Sequence, residues 1–184
     1  MSQSNLRGII RGRRSVKSGY LDAPVSQDLI LELLNDAVWA PTHGLREPWR
    51  FLFVPSEAKE QFVNGLIELL PEKVRHNVQT VFMQPAVILT VIMNKDSRQK
   101  EWEEDFGAVS SMLQNFQLLA WEQQLGVVWK TPPFIHDSKV REYLDVQADE
   151  QVVGFLHMGY FANEPKASKR TAVEDKFTVF DESK

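Results

Sequence analysis

The sequence predicts an α+β domain, because helical apolar patterns are interleaved with three or four strand-like runs in an order that is not strict strand-helix-strand repetition. AVILTVIM (86–93) is a continuous, β-branched-rich run typical of a strand buried on both faces, and QVVGFLHMGYF (151–161) is a second convincing strand. From about 98 to 124, Trp102, Phe106, Val109, Leu113, Phe116 and Ala120 alternate at spacings of four and three, the seam of a long helix packed against other helices. With 184 residues, 43 % apolar and 25 % charged, the chain suits one domain with a substantial core. The absence of cysteine excludes disulfides, thiolate metal sites and a cysteine nucleophile, and fits a reducing compartment. A net charge of -4 and a pI near 5.6 argue against nucleic acid as a partner. The start MSQSNLRGII has no signal core and the 86–93 run is too short to span a bilayer, so the expected location is cytoplasmic, without a membrane partner.

The elements follow in order. Leu6, Ile9 and Ile10 make a short amphipathic helix over about 5–13, with Ser4 or Asn5 as N-cap. It ends at the basic turn Arg11-Gly12-Arg13-Arg14-Ser15, where positive charge is concentrated in an otherwise acidic chain. Ser26 starts a second helix with Leu29, Ile30, Leu33, Leu34, Ala37 and Val38 on one face, and Pro41 ends it. The loop Ala40–Trp49 carries two prolines, His43 and Arg46, the kind of rigid connection on which binding residues are mounted. Residues 50–55 read as a strand, and Ser56 as the cap of a helix running to about Leu70. Residues 72–84 read either as a helix or as a mobile flap. Acidic residues 101 and 103–105 suit the first turn of the long helix through its dipole, and Gly126 is expected to supply that helix's left-handed cap. VVWKT (127–131) is a strand, and Asp137 caps a helix over 138–144. Gly154 and Gly159 in the last strand imply close backbone approach. The polar tail, 162–184, contains Lys166, Lys169 and Arg170 before an apolar FTVF, and is expected to wrap the body, residues 1–161, or a partner subunit.

No GxGxxG, Walker A or G-x-S-x-G pattern is present. His43, His76, His136 and His157 are too scattered for a metal site, and His157 reads as a satisfied core histidine. What remains is a site where a bound cofactor supplies the reactive group and the protein supplies anion contacts, stacking and donors. Arginine forks beside a serine hydroxyl suit a phosphate.

Taken together, several stretches resemble the FMN-dependent nitroreductase family, and most closely its short, single-domain members. They are Arg13-Arg14-Ser15, the A-P-[ST]…P-W-[RHK]-F element in 40–51, Trp102…Asp105, Gly126, Trp129-Lys130-Thr131 and VVGFLHMGY. The resemblance implies a mostly antiparallel central sheet flanked by helices, with the long helix at a homodimer interface and FMN bound between subunits. It implies NADH or NADPH as reductant and a small-molecule electron acceptor such as a nitroaromatic or quinone. By the same resemblance Arg13, Arg14 and Ser15 match positions contacting FMN phosphate, ribityl or flavin edge. Trp39 and His43 match positions presented from the partner subunit, and Trp129, Lys130 and Thr131 match the strand end against the flavin. Lys169 or Arg170 matches a late phosphate contact, and 119–124 resembles a stretch assigned to the nicotinamide nucleotide.

No side chain is required as nucleophile. Arg14 and Lys130 are the candidates to stabilise negative charge near flavin N1 and its adjacent carbonyl. Glu47 and Trp39 depart from the pattern: Glu47 is an acceptor-only carboxylate where an amide is common, and Trp39 stands where a basic residue is common. The alternatives are a flavin-binding module without turnover, a related flavin reaction such as reductive dehalogenation or flavin fragmentation, and a flavin-free helical interaction protein.

Overall fold

The computed structural model describes residues 6–180; the expected caps Ser4 and Asn5 and the end of the tail lie outside the described residues. Among the described residues six helices and four strands follow in order: α1 (Leu6–Gly12), α2 (Gln27–Ala37), β1 (Trp49–Val54), α3 (Ser56–Glu68), α4 (Glu72–Met83), β2 (Val87–Asn94), α5 (Gln99–Glu122), β3 (Leu125–Lys130), α6 (Ser138–Tyr143) and β4 (Glu150–Tyr160). Short 3-10 turns lie at His43–Leu45, Pro133–His136 and Val173–Lys176. The strands form one sheet in the order β1-β2-β4-β3. Every neighbouring pair is antiparallel, as the α+β expectation and the resemblance imply.

Strand alternation divides the core between the two faces of this sheet. Leu89, Val91 and Met93 of β2 pack with Val127, Leu156 and Met158 beneath α2 and α5. Ile88 and Phe155 face the other way, beneath α3, α4 and α6, with Leu66, Phe82 and Val140. Because β2 is inside the sheet and covered on both sides, all of its residues except Asn94 are buried. Full burial of each large aliphatic side chain there contributes about 1.5–3 kcal/mol.

Residues 72–83 are helical, with Val78 and Phe82 buried, so this segment is a wall of the second core rather than a flap. Ser26 caps α2 by accepting from Leu29 N, and Asp137 caps α6 by accepting from Lys139 N, both as expected. The N-cap of α3 is Pro55, and Ser56 is already its first helical residue. The left-handed residue ending α5 is Gln124 (φ 60°), not Gly126. Only two residues separate α5 from β3, so the chain reverses before Gly126 and this glycine lies inside the strand. There it makes room: a Cβ on Gly126 would stand 2.7 Å from Val16 and 2.8 Å from Phe161.

Of the predicted seam of α5, Val109, Leu113, Phe116 and Ala120 are buried, whereas Trp102 is half-buried and Phe106 exposed. Trp102 and Phe106 stack on each other, centroids 5.3 Å apart, at the end of the helix where the His43–Leu45 turn packs.

Candidate functional site

The basic turn leaves α1 against the C-terminal half of α5 and is then stitched to the edge of β3. Gly12 lets α1 approach Trp121, since a Cβ there would lie 3.3 Å from the indole nitrogen. Ser15 bridges Val127 in parallel, and Val16 N donates to Val127 O at 3.2 Å. Space left by Gly126 is what admits the side chain of Val16 against the strand. Trp121 in turn stacks on Phe161, 5.2 Å between centroids, so the 119–124 stretch is the last turn of α5, with Ala120 buried.

Between the basic turn and the start of the tail lies a cavity of about 670 Å³. Its wall carries Arg11, Arg13, Arg14, Lys17, Lys166 and Arg170, with Ser15 and Ser168 and no carboxylate among the described residues. Arg13 donates to the buried Gln117 Oε1 at 3.3 Å, and Gln117 is itself fixed by donating to Leu113 O. Burial, then the charges of Arg14 and Arg170, lower the Arg13 pKa. Arg14 donates to the carbonyls of Arg11 (2.8 Å) and Arg13 (2.9 Å) and so serves the open end of α1. Cations gathered without a counter-charge repel one another, and a bound anion relieves that repulsion. Of the two late basic residues, Arg170 lines this cavity and Lys169 does not. Lys17 and Lys166 also reach it; Lys17 is signalled in the sequence by the charge cluster, while Lys166 sits in a tail whose path only the tertiary structure fixes.

Lys130 and Thr131 do not line that cavity. They border a second one of about 310 Å³ with Asn77, Val78, Phe82 and Phe134. Burial, then the charge of Lys17, lowers the Lys130 pKa. Trp129 points back across the sheet: its indole N–H donates to Val153 O at 3.2 Å, above the space left by Gly154. His157 is buried, as expected, but among the described residues its Nε2 has no hydrogen-bond partner, and its ring meets Phe82 edge-on at 4.5 Å. Burial, then Lys130 and Lys59, push its pKa down to about 3, so the imidazole is neutral.

Trp39 and His43 lie elsewhere. Trp39 is 88 % exposed, and His43 Nδ1 stands 3.8 Å from Glu104 Oε1 near the N-terminus of α5. Arg13 meets the same helix at Gln117, thirteen residues further on and so about 20 Å away along the axis. A single chain therefore does not bring His43 to the basic cavity. Of the acidic residues expected in the first turn of α5, Glu101 alone lies there; Asp105 is in the second turn, buried and paired with Arg46 at 2.6 Å, which a dipole does not explain.

The sequence profile of the Nitroreductase family matches residues 10–160. "Putative NAD(P)H nitroreductase YfhC" of Bacillus subtilis is 35 % identical over 184 residues, covering 95 % of this chain and 94 % of that protein. The crystal structure of a nitroreductase-like family protein from Bacillus cereus superposes with a TM-score of 0.92 at 34 % identity, covering 98 % of both chains. A structure from Desulfovibrio desulfuricans described as a "putative nitroreductase in complex with fmn" shares the fold, with a TM-score of 0.79 at 22 % identity over 98 % of this chain and 100 % of that one. A profile spanning the sheet, the long helix and the basic turn, with a relative aligned nearly end to end, makes this chain a member of the nitroreductase family.

Proposed function

We propose that the protein is an FMN-dependent NAD(P)H oxidoreductase acting as a homodimer, the carrying observation being the cavity walled by six cations and, among the described residues, no carboxylate. A phosphate-bearing cofactor fits this donor set. Arg13, held by Gln117, and Arg170 would take the phosphate, and Ser15 adds a hydroxyl donor. Flavin, when bound, supplies the hydride chemistry linking NADH or NADPH to a nitroaromatic, quinone or similar acceptor. Lys130, with no acidic partner among the described residues, and Arg14 would favour negative charge on the reduced ring. Thr131 borders the same second cavity as Lys130. Trp129 would contribute through its backbone, its N–H being committed to Val153.

Homodimer formation supplies what one chain lacks, since the separation of His43 from Arg13 along α5 is bridged when a second copy presents His43 and Trp39. Val173, Phe177, Val179 and Phe180 are each at least 71 % exposed. This reading assigns their cover to the partner subunit, with residues 162–184 as an arm on a body of residues 1–161.

The test is direct. Purified protein is expected to be yellow and dimeric, to bleach with NADH or NADPH without oxygen, and to recover colour on adding nitrobenzene or a benzoquinone. Replacing Arg13 and Arg14 together with alanine is expected to weaken FMN at least tenfold. Colourless protein that takes up no FMN refutes the proposal, and flavin that persists unbleached reduces the protein to a binder.

A further inference from the structure

Residues 42–47 form an unusual turn. Gly44, Leu45 and Glu47 all have left-handed backbones, at φ 59°, 53° and 41°. Leucine and glutamate rarely adopt that form without being held there. The turn's own bonds are three and long: Glu47 N donates to Thr42 Oγ1 at 3.2 Å, Arg46 N to His43 O at 3.3 Å and Leu45 N to Thr42 O at 3.4 Å. What fastens it to the body is Arg46. Its Nη2 donates to Asp105 Oδ2 at 2.6 Å and to Asp96 Oδ2 at 3.3 Å. Asp105 is 2 % exposed and lies within α5, so the anchor point belongs to the packed body rather than to the loop. One position earlier on the same helix turn, Glu104 faces His43 at 3.8 Å. The outward side of the turn is unpartnered among the described residues: Leu45 is 82 % exposed, and Trp39, just before it, 88 %.

We infer that Arg46 is a positioning residue, whose ion pair with Asp105 clamps the 42–47 turn in its left-handed form and thereby aims His43 at the cofactor of the opposite subunit. This rests on the reading that His43 serves the partner's flavin. Arg46 touches no cofactor itself, and it acts only through the loop. Lysine in its place keeps one charge on Asp105 but loses the planar guanidinium whose Nη2 reaches both carboxylates.

The test measures FMN affinity by flavin fluorescence titration for the whole dimer of wild type, Arg46→Ala, Arg46→Lys, His43→Ala and the double variant Arg46→Ala/His43→Ala. Because alanine leaves Asp105 buried without its partner, Arg46→Met/Asp105→Asn is added as a charge-free pair. Arg46→Ala and His43→Ala are each expected to weaken FMN about tenfold. The double variant is expected to be no weaker than His43→Ala alone, and Arg46→Lys to recover to within about threefold of wild type. The charge-free pair should fold and still bind FMN about tenfold more weakly than wild type.

Full additivity between Arg46 and His43, or wild-type affinity in folded Arg46→Ala or in the charge-free pair, overturns the inference while leaving the cofactor assignment standing. Collapse of every Arg46 variant overturns it too, making the pair a folding element. Wild-type protein without FMN affinity refutes the cofactor assignment, and the role of Arg46 with it.

Discussion

Replacing Gly154 with alanine tests how the end of β3 is held in place. Gly154 lies in β4 where its register with β2 shifts between Val91 and Ile92, and its φ is 153°. An added Cβ would stand 2.4 Å from Trp129 Nε1, 2.6 Å from Lys130 O and 2.8 Å from Trp129 Cδ1. The indole can turn away, but only by giving up its bond to Val153 O. The Lys130 carbonyl belongs to a paired strand and cannot move alone. The unfavourable backbone costs about 1–3 kcal/mol, and forcing the methyl in costs about 1–3 kcal/mol more. Allowing for partial relief by rotation of Trp129, we expect a loss of about 3 kcal/mol, or about 6–12 °C in Tm for a chain of this size. Gly19→Ala is the comparator: φ is 75° there, but nothing lies within 4 Å of the added Cβ, so only the backbone cost remains, about 1 kcal/mol. Urea unfolding of both variants beside wild type gives the two losses. Equal losses, or a change below about 0.5 kcal/mol for Gly154→Ala, would refute the claim that close approach of Trp129 and Lys130 dictates glycine at this position.

Glu150, fixed by Arg50 through Nε–Oε1 (2.6 Å) and Nη2–Oε2 (2.5 Å), has its pKa lowered chiefly by that hydrogen bonding. A depressed carboxylate stabilises above the unfolded value of about 4.3 and loses that contribution as pH falls through the folded value. Glu150→Gln is therefore expected to cost on the order of 1 kcal/mol at pH 7, after discounting for the exposure of Arg50, and nearly nothing in acid; a gap in urea midpoint that persists to pH 2 contradicts this. His157 works in the opposite sense to a stabilising histidine: protonated near 6.5 when unfolded and near 3 when folded, it lowers stability by up to about 1.4 kcal/mol per pH unit as pH falls between those values. His157→Leu should flatten that slope between pH 6.5 and 4.5, and equal slopes in the two proteins would remove the imidazole from the account. Deleting residues 173–184 should leave the melting of the body within about 1 kcal/mol, since the side chains of 173–180 are exposed and contribute little, while weakening dimerisation; unchanged sedimentation across protein concentrations would reject the arm.

The amphipathic helices, the buried central strand and the caps Ser26 and Asp137 were legible because each rests on residues close together in the chain. The basic turn was legible for the same reason, as charge concentrated within a few residues. Its partners were not. Gln117 looks like any polar residue on a helix, and Lys166 and Arg170 sit in a tail without periodicity. Asp105 read as one of several acidic residues suited to a helix start, and nothing local marks it as the buried mate of Arg46. The role of Gly126 was misassigned because a glycine just after a helix usually caps it, whereas here Gln124 takes the left-handed turn and Gly126 yields space to Val16.

By itself the sequence determined most of the helices and strands, the concentration of positive charge in the early turn, and the absence of cysteine and of Walker A and GxGxxG patterns. Only the tertiary structure decided that Arg13 and Arg170 share a cavity while His43 stands about 20 Å along α5 from the Arg13 contact. It alone also buried His157, with Nε2 unpartnered among the described residues. The reason is physical: propensity, capping and periodicity act over a few residues, whereas a cavity wall, a buried ion pair and a glycine's missing Cβ depend on surfaces that meet only after the sheet and helices have packed.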